Sequence, residues 1–285
     1  MELEFKKLEH EDYNQVYDIC KDIWEGTDYL PQVFHKWVDD KGLFLAAIDK
    51  DKNKIVGVDK YSILYDGSGW LEGLRVHKDY RGLKIGKKLA YNLFDYALGD
   101  YDKGLINKIA FCTHATNTES IAIMRELKFT LHTKYLLLLK EYDSLSKGLR
   151  EQDFDVANWE ITLEEFFNLE YFKRRNNLVS LNFIFQEPTK DLYEELKKGN
   201  CFVTINGYKG IIKVKGEAHF IAIDDSFEAI DTFMNYCLVK YYSLSTLEPL
   251  TSVLAEEKKL IKKAMDNNYI SMNQWEADYL YYVYK

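Results

Sequence analysis

An α/β (α+β) architecture, with a mixed, mostly antiparallel twisted sheet flanked by helices and a second α/β unit after it, is what the 285-residue sequence predicts. Three observations carry that prediction. Strand-like runs GLFLAAID, KIVGVDKYSIL and GWLEGLRV follow one another between 42 and 76. Helical and strand patterns then alternate to about 140. A similar order of elements returns after 159.

In chain order, 2 to 8 reads as a strand, and about 11 to 24 and 31 to 39 as helices. DKDKN and YDGSG are turn material between the next three runs, so three successive antiparallel strands are expected. From 84 to 98, Ile85, Leu89, Leu93 and Tyr96/Ala97 recur at helical spacing. A strand (KIAFCTHA), a helix opened by TNTE and a strand (LHTKYLLLLK) complete a first domain at 1–140, and the polar stretch 141–158 reads as a linker. In a second domain at 159–285, ITLEEFFNLEYFKRR and TKDLYEELKKG read as helices and NCFVTIN, YKGIIKVK and HFIAIDD as strands. A helix (SFEAIDTFMNYCLVKYY), a short strand, a long helix (TSVLAEEKKLIKKAMDN) and a closing strand (EADYLYYVYK) follow. The order echoes the first domain, which leaves a degenerate repeat and an unrelated α/β domain as alternatives.

The formal charge of −8 argues against general affinity for nucleic acid or anionic membrane and suits small or cationic partners. Cys20, Cys112, Cys201 and Cys237 stand singly, without metal-ligand spacing. Neither a disulfide framework nor a metal site is expected, and a reducing cytoplasm fits. The start does not read as a signal peptide, and YLLLLK is too short to span a bilayer. Aromatic clusters such as YLYYVYK fit core packing better than base stacking. Nothing in the pattern sets an oligomeric state.

RGLKIG, residues 81–86, stands where a strand passes into a helix. Amides left unpaired at a helix start form, with the positive end of the macrodipole, an anion site. Gly82 and Gly86 let the backbone approach a phosphate, and Arg81, Lys84 and Lys87 bring charge. A solvated basic turn is the alternative. It is neither a Walker loop nor the three-glycine dinucleotide fingerprint.

The longer stretch WLEGLRVHKDYRGLKIGKKLA resembles the acyl-CoA signature of the GCN5-related N-acetyltransferases (GNAT superfamily). The resemblance implies the GNAT fold, acetyl-CoA as co-substrate and no metal. It assigns the pyrophosphate to Arg81, Gly82, Leu83, Lys84, Ile85, Gly86 and Lys87, and lays the backbone of Leu74, Arg75 and Val76 along the pantetheine, with Gly73 at the bulge. Lys84 replaces the first glycine of the usual R-x-x-G-x-G/A core. Asn117 matches a CoA-contacting asparagine, although Thr116 to Glu119 also has the form of a capping box. Met124 stands where many members carry a tyrosine as general acid. Glu72 matches a glutamate that serves relatives as a water-mediated base; pairing with a neighbouring lysine is the other reading. By plain strand alternation Glu72 shares a face with Leu74 and Val76, unless a bulge at Gly73 resets it.

The stretch TDYLPQVFHKWVDD, with LEGLRV, resembles the branch that contains histidine N-acetyltransferase. That implies a small-molecule amine as acceptor, an amino acid such as histidine among the candidates. Glu25, Asp28, Tyr29 and His35 are the acceptor-side residues, the two carboxylates suited to a cationic substrate, while His35 and Trp37 also fit plain packing. His77 reads as a solvated turn histidine and Cys112 as a small core residue. The expected function is N-acetyl transfer by direct attack of the amine. A CoA-binding sensor or scaffold without turnover, and a protein or peptide acetyltransferase, are the alternatives.

Overall fold

The structure, a computed structural model, describes residues 1–140, 148–215, 217–245 and 249–284. Leu43, Leu45 and Ala47 alternate with Phe44, Ala46 and Ile48, and both sets are buried, so their strand has to lie inside a sheet covered on two faces. β1 (Leu3–Lys7), β2 (Gly42–Asp49), β3 (Lys54–Ile63) and β4 (Ser68–Val76) follow in spatial order, all antiparallel. β5 (Lys108–His114) joins β4 in parallel. Helices α1 (Tyr13–Cys20) and α2 (Leu30–Asp39) bury Val16, Ile19, Phe34 and Trp37 against Phe44, Ala46 and Val58 on one face. On the other face α3 (Ile85–Asp102) and α4 (Thr118–Glu126) pack Leu89, Leu93, Phe94 and Met124 with Leu43, Leu45 and Leu71.

Two compact units emerge, and they interleave in sequence. Unit 1 takes residues 1–111, 119–130 and 282–285; unit 2 takes 112–118 and 131–281. Within unit 1, Tyr282 stacks on Phe111 with centroids 5.2 Å apart, and Tyr284 meets Phe94 edge-on at 5.0 Å. The Thr130 hydroxyl donates to the Val283 carbonyl at 3.1 Å.

In unit 2, β6 (Thr130–Lys140, in this unit from Leu131) pairs antiparallel with β13 (Thr251–Val253) and β14 (Tyr269–Ile270), and β15 (Tyr279–Tyr284, in this unit up to Tyr281) runs alongside it. β10 (Phe202–Ile205), β11 (Tyr208–Lys215) and β12 (Glu217–Ala222) form an antiparallel meander, with β7 (Val156–Asn158) on β10. His219 of β12 bridges Leu250, just before β13, in the parallel sense. α8 (Phe227–Ser245) and α9 (Lys258–Asp266) pack Phe233, Met234, Leu260 and Ile261 with Ile212 and Phe220. α5 (Leu163–Phe167), α6 (Glu170–Lys173) and α7 (Lys190–Lys198) bury Phe166, Phe172, Leu192 and Leu196 with Ile211 and Ile221. Meander, long helix, strand parallel to the third, then helix is the order in both units. Among the described residues no helix is long and apolar enough to cross a membrane.

Four segments depart from the sequence reading. The single long helix expected at 251–267 is a strand, Thr251–Val253, and a helix that begins only at Lys258, because Thr251 and Val253 pair with β6. The helix expected at 161–175 is broken in two, with α5 capped at Asn168 and α6 starting at Glu170. Part of the expected linker, 151–158, holds a 3-10 turn and β7; 141–147 lie outside the described residues. A hairpin of β8 (Val179–Leu181) and β9 (Ile184–Gln186) was not legible, since its two-residue turn is Asn182-Phe183, both at φ above +50°, rather than Asn-Gly.

Candidate functional site

The parallel pairing of β4 with β5 runs from Ser68 opposite Lys108 to Leu71 opposite Phe111 and stops there. From Glu72 onward, that edge of β4 leaves its neighbour. On the other edge the register with β3 shifts, so that Gly73 and Leu74 together face Asp59. Gly73 has φ +78°, and a Cβ there would stand 2.6 Å from the Trp37 ring, so both backbone and packing demand glycine. The bulge resets the alternation. Leu71, Leu74 and Val76 all pack on the α3 side, whereas Arg75 reaches Asp28 between α1 and α2, and Glu72 shares that side. The grouping of Glu72 with Leu74 and Val76 expected from plain alternation is therefore overturned.

Past β4, a 3-10 turn (Lys78–Tyr80) leads into the exposed residues Arg81, Gly82, Leu83 and Lys84. Lys84, at the N-cap of α3, has φ +60° and ψ +20°. It departs from glycine in its side chain and yet keeps the left-handed backbone that glycine adopts freely, at a cost of about 1–2 kcal/mol. The Lys88 amide closes onto the Lys84 carbonyl at 3.1 Å, so the amides of Ile85, Gly86 and Lys87 face out of the helix end. Arg81 Nε donates to the Val76 carbonyl at 3.3 Å. Lys87 is turned away towards Glu126 of α4, which also accepts from Tyr91 at 2.7 Å. Replacing Lys84 by glycine relieves the left-handed strain but adds unfolded-state entropy. Lys84→Gly is therefore expected to change stability by about 0 to +1 kcal/mol in urea unfolding; a loss beyond about 1 kcal/mol would contradict the strain at Lys84.

On the α1–α2 side, Asp28 receives Arg75 Nε at 2.8 Å and Nη2 at 3.1 Å, and its Oδ1 also accepts the Leu30 amide at 3.1 Å. The Trp24 indole lies 4.6 Å over the guanidinium and Tyr29 lies 5.7 Å from it. Asp28, expected to hold a cationic substrate, thus has its charge committed to Arg75. Arg75 in turn uses its side chain to latch the loop between α1 and α2 onto β4. Beside this pair, Glu72 is half-buried and its Oε1 accepts from the Ser62 hydroxyl at 2.8 Å. Lys60, opposite Glu72 in register, is fully buried and donates to the Trp37 carbonyl at 3.0 Å. Burial pulls its ammonium down to about 8, with Glu72 opposing. Burial likewise pushes the Asp59 carboxyl well above the usual carboxylate range, opposed by the Lys60 amide. Sequence reasoning missed Asp59, Lys60 and Ser62. The signal was there: polar residues inside KIVGVDKYSIL need partners once that strand is buried.

Other candidates fall elsewhere. His35 stacks on Tyr13 at 5.2 Å and meets His10 Nδ1 at 2.9 Å in an exposed group with Asp39. The Glu25 side chain lies outside the described residues. His77 is not a solvated turn residue: it is buried, accepts the Asp79 amide at 3.3 Å and contacts Asp18 at 3.2 Å, which makes it the cap of the turn before Arg81. Asn117 immediately precedes α4, and the Thr116 hydroxyl meets His114 Nδ1 at 2.7 Å. Met124 is buried in the core. In unit 2, the junction between β12 and α8 carries Asp225 at φ +54°, held by Arg175 at 2.7 and 2.9 Å and by Arg174 at 3.2 Å. That junction supplies its own carboxylate where the turn into α3 presents amides.

Residues 8–129 match the acetyltransferase (GNAT) family. Histidine N-acetyltransferase of Oreochromis niloticus is 31% identical over 166 residues, 58% of this chain and 47% of that one. The protein of the same name from Scomber australasicus is 22% identical over 156 residues, 54% and 44% of the two chains. The chain thus spans about half the length of the curated relatives it matches. Among solved structures, a chain from Pyrococcus horikoshii superposes with a TM-score of 0.61 at 13% identity, covering 99% of this chain and 89% of its own. The GCN5-related N-acetyltransferase from Sphaerobacter thermophilus gives 0.57 at 11% identity, covering 99% and 95%. These likenesses establish a shared fold. With strand parting, bulge and helix-start turn all inside the matched stretch, the domain spanned by residues 8–129 belongs to the GNAT family of acetyltransferases.

Proposed function

We propose that the protein is an N-acetyltransferase that moves the acetyl group of acetyl-CoA to the primary amine of a small molecule, with an amino acid such as histidine as the first candidate. One observation carries the reading. β4 parts from β5 at Glu72 and then, through left-handed Lys84, turns into the exposed N-terminus of α3, so one stretch offers a carboxylate at one end and an anion site at the other. The stretch from Arg81 to Lys87 takes the pyrophosphate on the amides of Ile85, Gly86 and Lys87, with the Arg81 side chain nearby, and the freed backbone of Leu74, Arg75 and Val76 takes the pantetheine. Held there, the thioester meets the acceptor near Glu72. Glu72, directly or through a water, accepts a proton from the acceptor ammonium. The free amine attacks the thioester carbonyl, and collapse of the tetrahedral adduct forms the amide and breaks the C–S bond. With Met124 in the core, the second nitrogen proton, lost from the adduct, passes through water to the departing thiolate. The name shared by the matched relatives supports histidine or a similar amino acid as acceptor; Tyr29 and Trp24, beside the Arg75–Asp28 pair, supply aromatic surface on that side. Unit 2 is read as a degenerate copy, its Asp225 filling, on Arg174 and Arg175, the place a second pyrophosphate would need.

Met124 favours one second reading, a CoA-binding sensor without turnover. Thiol release from acetyl-CoA across a panel of free amino acids and peptides, with calorimetric titration of CoA, separates the readings. Turnover with a free amino acid and a single CoA equivalent per chain is expected. Binding without turnover supports the sensor, acetylation of peptides alone a protein acetyltransferase, and two equivalents refute the role given to Asp225.

A further inference from the structure

We infer that Ser62 is a positioning residue for Glu72: its hydroxyl fixes one carboxylate oxygen so that the other is presented to the attacking amine. The inference rests on the proposed role of Glu72 as base. Ser62 lies on β3, 9% exposed, and its Oγ–H donates to Glu72 Oε1 at 2.8 Å. A serine hydroxyl has a single hydrogen, so the bond commits Ser62 as donor and leaves Glu72 Oε2 to receive a proton. The contact runs diagonally across the strands, since Lys60 is the register partner of Glu72 and Trp70 that of Ser62.

The other polar groups around Glu72 are turned to different tasks. Lys60 donates to the Trp37 carbonyl, Arg75 is bound by Asp28, and Asp59 Oδ1 accepts the Lys60 amide at 3.1 Å. Tyr29, just before α2, faces the same side and interacts with Arg75 as well as with Glu72. A half-buried carboxylate beside a bulge has rotamers to lose, and a donor of this kind selects one of them.

The test is Ser62→Ala and Ser62→Thr, each made in the native chain and in Glu72→Gln, with kcat followed across the neutral pH range. Ser62→Ala is expected to lower kcat about three- to tenfold and to leave the KM for acetyl-CoA unchanged. Ser62→Thr, which keeps the hydroxyl, restores most of the rate. In Glu72→Gln, Ser62→Ala adds nothing. If Glu72→Gln is slow while Ser62→Ala in the native chain keeps full kcat, this inference is overturned and the base is spared. A Glu72→Gln enzyme at normal rate overturns both. If Ser62→Ala does not fold, Ser62→Cys, close in size and a weak donor, gives the same reading.

Discussion

Glu72→Gln is expected to depress kcat by about 10²–10⁴, the range in which general-base assistance falls, with acetyl-CoA affinity nearly intact. The amide keeps the size of the side chain and can still meet Ser62, so the β3–β4 packing survives. It cannot take up a proton, and the acidic limb of the pH–rate profile disappears with it. Steady-state kinetics over pH, together with a CoA titration, reads both effects. If kcat and profile are near normal, the proton goes elsewhere. Because the Asp28 carboxylate is already bound at both oxygens by Arg75, Glu25 becomes the next residue to change.

Asp28→Asn is expected to cost about 3–5 kcal/mol of stability, the usual result of removing one partner from a buried ion pair. The side chains of Arg75 and Asp28 are only 10% and 1% exposed, so water does not replace the lost carboxylate. Asparagine retains an oxygen for the Leu30 amide, so the turn into α2 is spared and the loss reports the charge pair. Urea unfolding of the variant measures it, and Asp28→Leu combined with Arg75→Met should recover much of the loss, since an apolar pair leaves no buried charge. A loss below about 1 kcal/mol would place the pair in the surface class, and the α1–α2 loop would not depend on it.

The frame of unit 1 was legible because its signals are local. GLFLAAID buries both faces and is a central strand, and RGLKIG marks a strand-to-helix junction by its two glycines and its place in the pattern. The site was legible only where a resemblance numbered it. What one strand's period hides is the effect of a bulge: Gly73 moves Leu74 and Val76 to the face opposite Glu72, and only the pairing with β3 reveals it. The partners of Glu72 and Asp28 were hidden for a related reason. Ser62 is 10 residues from Glu72, and Arg75 is 47 from Asp28, so their meeting is set by register and packing rather than by spacing. In unit 2, β8 and β9 escaped because Phe183, a poor turn residue by composition, takes a left-handed conformation.

Tyr282 and Tyr284 complete an aromatic layer with Phe94, Phe111 and Phe129, although Val283 is separated from its partner Thr130 by 153 positions. On a ribosome, residues 1–130 emerge long before that layer can close. At synthesis rates of about 5–20 residues per second, the wait is on the order of ten to thirty seconds. During that interval the layer of Phe94, Phe111 and Phe129 lacks Tyr282 and Tyr284, and closing so distant a contact is slow even once the residues are available. A release of the nascent chain near residue 140 therefore yields a fragment that carries the helix-start turn and Glu72 but presents Phe94, Phe111 and Phe129 to whatever binds unfinished chains.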